Sequence, residues 1–505
     1  MEEASLSDGS QLAALGYTPE LPRQLSRLSL LGMAFVILNT WSVLAATLKL
    51  SLSSGGPCVA IWGLLVVGFC NICLAASLAE FLSAYPTAGG QYHWVAVIAP
   101  KRYAAILAWA TGWLTVFGWI AVAASAAVMV SHLVLGLLYS GVEHQMPSRW
   151  EELALYLCAA FVGFAGNYWF GQVLRHFNQA ALIWSLLGFV AVPTFGYVFS
   201  SRPLADPAFV FTYVINKTGW PDGVAWSLGL LQAAVALNGY DAVAHMIEEI
   251  PNASFEGPRI MIGSVVLGVI VGFAFLTALL FLAGGPEGMD FIIQSPAGPL
   301  MALLEYATAN RALASSLVMI PIIGGVFGTT SIMTTSSRMV FAFARDGGFS
   351  DGSVYAHVDP DLGMPLNALY LTTAITMLFG LLFLVSTTAF NAVCAASVVG
   401  LSLSYALPLA IHCLQGRQKL PPRRFELPRT IGWMANVVGI AYAIVTAVLF
   451  LLPPKLPVTG ATMNYGAVAL VFMLSLSALS WVLYGKERYR GPALVGYERV
   501  ETDEE

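Results

Sequence analysis

Leu237-Asn238-Gly239-Tyr240-Asp241 stands in the middle of an apolar run, and Leu38-Asn39-Thr40-Trp41-Ser42 stands in the middle of another, 199 residues earlier. Slid by 199 positions, Ala34, Val36, Leu38, Asn39 and Ala45 meet identical residues, and Trp41 meets Tyr240. Asn beside further polar groups at mid-run is costly inside a membrane unless it is used. Two such interruptions, at matching places in two halves of a chain, are the mark of paired broken helices. They divide the chain into a five-helix repeat over 28–200 and a second over 224–414, with 431–484 as two appended helices.

The runs around these segments set the fold class. A membrane helix needs about 20 mostly apolar residues. Runs without Asp, Glu, Lys or Arg cover Leu28–Leu48, Leu50–Ala79, Tyr103–Val142, Leu153–Leu174, His176–Ser201, Ile260–Pro286, Ala312–Ser337, Thr430–Pro454 and Leu456–Gly485. Gly223–Tyr240 is apolar too, and after Asp241 the pattern continues to Ile247. Leu362–Gly416 is too long for one span and divides at Ser386–Asn391, a polar cluster suited to a turn. The sum is twelve spans in an all-α polytopic membrane protein. A closed barrel is the other way to satisfy backbone groups in lipid, and its ten-residue alternation is not seen.

Composition excludes the alternatives. Of 505 residues, 58% are hydrophobic and 10% charged, against about 25% charged in soluble domains. Mean hydropathy is +0.75 and the pI about 5.8. A soluble enzyme or a disordered scaffold does not fit, and a net charge of −5 provides no basic footprint for nucleic acid. The six cysteines sit in apolar stretches. Cys70 and Cys73 form a C-x-x-C without a second pair, so they read as small buried residues.

Basic residues orient the bundle. Seventeen of the 23 Lys and Arg fall on the side that holds both termini, five on the other, with Lys49 at the end of the first span. The tails, 1–27 and 485–505, and the 415–430 connection are therefore expected in the cytosol, and the 201–223 loop outside, with the plasma membrane the expected location. No cleavable signal peptide is read, since the polar start opens with Glu2, Glu3 and Asp8. Asn216-Lys217-Thr218 is a glycosylation sequon in the outer loop; Asn252-Ala253-Ser254 lies on the cytosolic side.

The candidate substrate site follows from the breaks. Unwinding exposes backbone groups, and half-helix termini attract carboxylates at one end and cations at the other. Asn39, Thr40, Trp41, Ser42, Asn238, Gly239, Tyr240 and Asp241 are the expected lining. Asp241, ionisable inside a span, would pair with a substrate ammonium or carry a proton. The plainer alternatives are Asn as interhelical glue, Asp241 as partner of another helix, and Trp41 and Tyr240 as ordinary packing. Glu80, Glu248 and Glu249 lie near the cytosolic end as gate or structural ion pairs, with Arg338 and Arg345 as partners for the last two. Thr330, Ser331 and Thr334 of the eighth span could hold a coupling cation, or bond back to their own helix. His132 and His245 could relay protons or be structural. No metal or cofactor is expected beyond a coupling ion, H⁺ or Na⁺.

At Leu12–Arg23, Ala79–Val95 (AEFLSAYPTAGGQYHWV), Asn238–Arg259 (NGYDAVAHMIEEIPNASFEGPR), Ser336–Phe349 (SSRMVFAFARDGGF) and Met364–Leu369 the chain resembles the amino acid–polyamine–organocation superfamily. Within it, the resemblance is to the fungal amino acid/choline, GABA permease-like transporters. The resemblance implies a leucine-transporter-type fold of two inverted five-helix repeats plus two helices. It implies a secondary transporter of amino acids or small amines such as GABA or choline, driven by an ion gradient through alternating access, and not an enzyme. It places the substrate region on Asn39–Val43 and Asn238–Asp241. The sequence departs from the superfamily in two places: the first span has no Gly-Ser-Gly segment to cradle a carboxylate, and the fifth has no lysine to fill a cation site. A carrier of a specialised-metabolite precursor or product, and a non-transporting nutrient sensor, are the rivals. Short tails disfavour the sensor.

Overall fold

The structure is a computed structural model that describes residues 12–492, apart from 14, 19, 24, 141–146, 351, 386, 461 and 490. Glu2, Glu3, Asp8, Ser386, Arg490 and Arg499 lie outside the described residues. Among the described residues the regular structure is helical, with a lone bridge between Asp359 and Met364.

Among the described residues, eleven helices are long and apolar enough to cross a membrane. The first is two pieces, α1 (Arg27–Leu38) and α2 (Thr40–Ala46), continued by α3 (Leu48–Ser54). Next come α4 (Gly56–Ala84), the short α5 (Gln91–Ile98), α6 (Lys101–Tyr139), α7 (Arg149–Phe170) and α8 (Leu174–Val198). The sixth expected span is not one helix. It is divided into α9 (Asp222–Gly229), α10 (Leu231–Ala236), α11 (Ala242–His245) and a 3₁₀ turn over Ile247–Glu249. After it run α12 (Ala253–Leu282), α13 (Arg311–Arg345), α14 (Leu366–Gly380), α15 (Thr387–Leu414), α16 (Arg429–Leu451) and α17 (Gly466–Ser480).

Both breaks fall where the two polar segments stand. In the first span, Asn39 alone leaves the helix, in the left-handed region at φ 39°, ψ 39°. Asn tolerates that region better than most residues because its short side chain can bond locally. Thr40, Trp41 and Ser42 are back in helix, so the break is narrower than the 39–42 expected. In the sixth span, Leu237–Asp241 separates α10 from α11, and Gly239 at φ 101° takes a conformation that a side chain would oppose.

Two boundaries differ from expectation. Residues 387–391 begin α15 rather than forming a turn; Ser and Thr favour helix starts as much as turns. The last span begins at Gly466, not Leu456, because Pro453, Pro454 and Pro457 cannot donate to a helical ladder.

The long helices pack into one bundle. α12 lies along α4, and α6 is flanked by α13 and α15. α16 joins α4 to α15, while α17 stands at the edge against α15 and α6. Its Val468, Val471 and Phe472 are exposed, as are Ile183, Leu187 and Val190 of α8. Apolar faces of this extent need a lipid solvent, and the chain is an integral membrane protein. The segment before α1 is not a loose polar tail: Leu12, Leu15, Tyr17, Leu21 and Leu25 are all buried.

Candidate functional site

The two broken spans are fastened to each other. The Thr40 hydroxyl donates to the carbonyl of Ala236 (3.1 Å), and Gln232 Nε2 donates to the carbonyl of Leu44 (2.6 Å). Beside them is a cavity of about 770 Å³, bounded at its deep end by Leu38, Asn39 and Asn238. It runs along α2 and α3 to Lys49 and to Asn464 of the connection before α17. Its wall is mostly apolar, and among the described residues its ionisable side chains are Lys49, His132 and Cys394, with no carboxylate. Asn39 Nδ2 is buried there without a partner among the described residues, a donor that a buried position ordinarily satisfies.

Of the eight residues expected to line a substrate site, Asn39 and Asn238 line this cavity. The others are packed behind them. Trp41 donates from Nε1 to Ser185 Oγ (2.9 Å) and meets Phe275 edge-on at 4.9 Å between ring centroids. Tyr240 packs on Tyr405 at 5.4 Å. Thr40 and Ser42 are fully buried, and Gly239 forms the turn.

Asp241 is fully buried and surrounded by donors. Gln91 Nε2 (2.7 Å), Trp119 Nε1 (3.1 Å) and His245 Nε2 (3.2 Å) approach Oδ2, and the Tyr405 hydroxyl donates to Oδ1 (2.5 Å). Sequence reading found Asp241 but none of its partners Gln91, Trp119 and Tyr405. Gln91 belongs to the PTAGGQYHW block, which was the available signal. The two aromatics carry none that sets them apart from other aromatics.

At the opposite end of the first span, charge closes the bundle. Arg338 Nε lies 2.9 Å from Glu249, and Arg345 pairs twice with Glu248 at 2.9 and 3.1 Å, the partners expected for these two carboxylates. Glu80 pairs with Arg417 (2.7 Å) and Arg423 (2.5 Å) and accepts from the amide of Leu427. It therefore ties the end of α4 to the 415–430 connection. The segment before α1 covers this end. Tyr17 donates to both oxygens of Asp346 (3.0 and 2.9 Å), and its ring lies under the Arg345 guanidinium at 4.2 Å. Tyr92 also donates to Asp346 (2.8 Å). Burial raises the Asp346 carboxyl to about 6 against the opposing pull of Arg345. Burial, and then Arg345, lower His93 to about 3, so its imidazole is neutral. Burial, and then Asp346, raise the Tyr17 hydroxyl well above its ordinary range.

The hydroxyls of α13 are mostly spent within the protein. Thr330 bonds back to Val326, and Thr334 bonds to Thr330 and to Asn167 Oδ1. Ser331 Oγ is buried without a partner among the described residues. In the 201–223 loop, Asn216 Nδ2 donates to the Trp220 carbonyl and to Asp222, and its oxygen accepts from Thr218. A glycan on Nδ2 would leave it one N–H, so these two donated bonds could not both be kept. Among the described residues, no three His, Cys, Asp or Glu side chains converge as a metal site, and the six cysteines are unbridged.

Comparison with known proteins agrees with this architecture. The profile of the amino acid permease family matches residues 26–474. A Macrophomina phaseolina protein named as an amino acid/polyamine transporter is 33% identical over 445 residues, covering 87% of this chain and 97% of its own. The amino-acid permease BAT1 homolog of Oryza sativa is 32% identical over 508 residues, covering 96% and 95%. The choline transporter of Saccharomyces cerevisiae is 30% identical over 472 residues, covering 93% and 83%.

Proposed function

The chain belongs to the amino acid permease family of the amino acid–polyamine–organocation superfamily, and on that premise we propose that it imports a small amine-bearing solute, an amino acid or GABA, by ion-driven alternating access. Membership makes it a membrane transporter and not an enzyme.

The observation that carries the reading is the asymmetry of the bundle. A cavity reaches the Asn39 and Asn238 breaks from one end, while ion pairs and the segment from Leu12 close the other. That is the geometry of one limb of an alternating-access cycle, with the solute site at the breaks. With both termini in the cytosol of a plasma-membrane protein, the cavity faces outward and Glu248–Arg345 and Glu249–Arg338 form the inner gate. On this reading the two five-helix units are inverted repeats, and α9–α11 cross the membrane as a broken helix.

The cavity chemistry narrows the solute. Among the described residues, Lys49, His132 and the unpartnered Asn39 Nδ2 bring donors and positive charge to this space and no carboxylate lines it. Such a wall suits a solute that carries its own carboxylate, an amino acid or GABA, better than choline, which has only positive charge. The amine end meets the C-terminal end of α1, where freed carbonyls carry partial negative charge.

Uptake by transport-deficient cells that express the chain tests this, with labelled GABA, choline and the common amino acids as the panel. Saturable uptake of a carboxylate-bearing amine is expected. Uptake of choline alone would refute the solute class, and uptake of nothing would refute the transport reading.

A further inference from the structure

His245 has an acceptor on each side of its ring. Nδ1 lies 2.8 Å from the carbonyl oxygen of Ala88, and Nε2 lies 3.2 Å from Asp241 Oδ2. A carbonyl oxygen only accepts, so the Ala88 contact requires the proton on Nδ1. A neutral imidazole then presents a bare lone pair at Nε2. Against an ionised carboxylate, that contact would be repulsive. The approach is attractive only if one more proton lies between the two groups, as imidazolium and carboxylate or as imidazole and carboxylic acid. Asp241 Oδ2 already accepts from Gln91 and Trp119, and Oδ1 accepts from Tyr405, which favours the carboxylate with an imidazolium.

Both side chains are fully buried. With the extra proton the pair is neutral. Without it, a lone negative charge remains in the interior, which is unfavourable even with three other donors. Nearby charges do not replace the proton, because each is already paired. Arg338 and Arg345 from α13 hold Glu249 and Glu248, and Arg27 from α1 holds Glu256 from α12. The other titratable groups around the pair are the hydroxyls of Tyr240 and Tyr405, and His93 beyond the 86–91 segment.

The same two residues fasten that segment to the broken sixth span. Ala88 accepts from His245, its amide donates to Glu248 Oε1 (2.9 Å), and Gln91 donates to Asp241. Gly90 has φ +56°, and a side chain there would come within 3.0 Å of the His245 ring, so the segment lies flat on the imidazole. Two of the three fastenings are made by the proton-holding pair.

We propose that Asp241 and His245 form the proton site that couples solute movement to a proton gradient, the shared proton latching residues 86–91 against α11. The proposal rests on the transporter reading above. Loss of one imidazolium proton to the cytosolic water leaves a neutral ring that donates on one side alone. The Asp241 carboxylate, the stronger acceptor, keeps the Nε2 proton. Nδ1 then turns a bare lone pair to the Ala88 carbonyl, and that repulsion frees the segment, which opens the inner gate. Rebinding a proton from outside resets it. Sodium has no part in this step.

Hydrogen–deuterium exchange on the purified full chain tests the latch without a solute. Exchange of peptides spanning 85–98, corrected for the intrinsic pH effect, should rise by about fivefold or more between about pH 5 and about pH 8 in the wild type. It should vary by less than about twofold in His245→Gln and in Asp241→Asn. A wild type without pH dependence, or either variant retaining the wild-type profile, overturns the proposal; should a variant not fold, the wild-type profile and the other variant decide. In vesicles, His245→Gln should lose accumulation of labelled GABA or another panel solute driven by a pH gradient, while its hydrogen exchange outside residues 85–98 stays that of the wild type. Accumulation retained in that variant would also overturn it. If the wild type moves no panel solute, the transport reading fails, and the exchange measurement still judges the proton site.

Discussion

Thr40 donates its hydroxyl to the carbonyl oxygen of Ala236 across 3.1 Å, so the restart of the first span is bound to the turn before the break in the sixth. With Gln232 bonded to Leu44, the two broken spans are held as one body. Thr40→Val keeps the shape and removes the donor. It should cost about 1–2 kcal/mol, the typical loss for an unsatisfied buried partner, read as a lowered Tm in detergent with a severalfold fall in uptake. An unchanged Tm and uptake would show that the two spans need no such tie.

Asn39 combines a left-handed backbone with an unpartnered amide at the cavity wall. Asn39→Gly keeps the backbone and removes only the amide. Losing one hydrogen bond to a charged carboxylate should raise the apparent KM about 10-fold or more, with little change in Tm. Asn39→Ala adds strain on top and should lower Tm as well.

The Glu248–Arg345 pair is nearly buried. Arg345→Ala leaves Glu248 without its cation and removes the charge over the Tyr17 ring. Breaking one side of a buried pair typically costs about 3–5 kcal/mol; Arg345 keeps some exposure, so about 2–3 kcal/mol is expected here. Thiol reagents should then reach cysteines introduced beside Glu249 from the cytosolic side. The double swap Glu248→Arg with Arg345→Glu should restore part of the protection.

Asp346, raised to about 6 by burial, makes stability depend on pH. Its folded carboxyl holds a proton up to higher pH than the unfolded one, whose ordinary value is about 3.9. Between those values the folded state binds more protons, so stability falls as pH rises from about 4 to about 6 and is level above. Asp346→Asn removes this slope. The Tm of the wild type relative to the variant should therefore fall over that window, by the equivalent of about 1–3 kcal/mol. A difference that rises with pH would contradict the assignment.

The breaks were legible because Asn and Gly have few uses at mid-membrane except to interrupt a helix. The pairs Glu248–Arg345 and Glu249–Arg338 were legible for a related reason: with 10% of residues charged, a buried carboxylate has few cations to meet. The partners of Asp241 were not. Trp119 and Tyr405 lie 122 and 164 residues away, two among 13 Trp and 19 Tyr, and only the packing of α6 and α15 selects them. Asp241 was read as a substrate partner or proton carrier, with a bond to another helix as the alternative; it meets donors of α5, α6 and α15 and does not line the cavity. The buried leucines before α1 were hidden by the polar residues between them. The start of the last span was obscured because prolines are uncharged and lengthen a charge-free run without extending a helix.

The central claim is gradient-driven movement of a carboxylate-bearing amine. Its most direct measurement is uptake of labelled GABA and the common amino acids into proteoliposomes holding the full chain, with an inside-alkaline pH gradient, with a sodium gradient, and with neither. We expect at least one of these solutes to accumulate above its outside concentration under the pH gradient and to equilibrate without it. Accumulation under sodium alone, or no solute entering faster than into empty vesicles, would contradict the account.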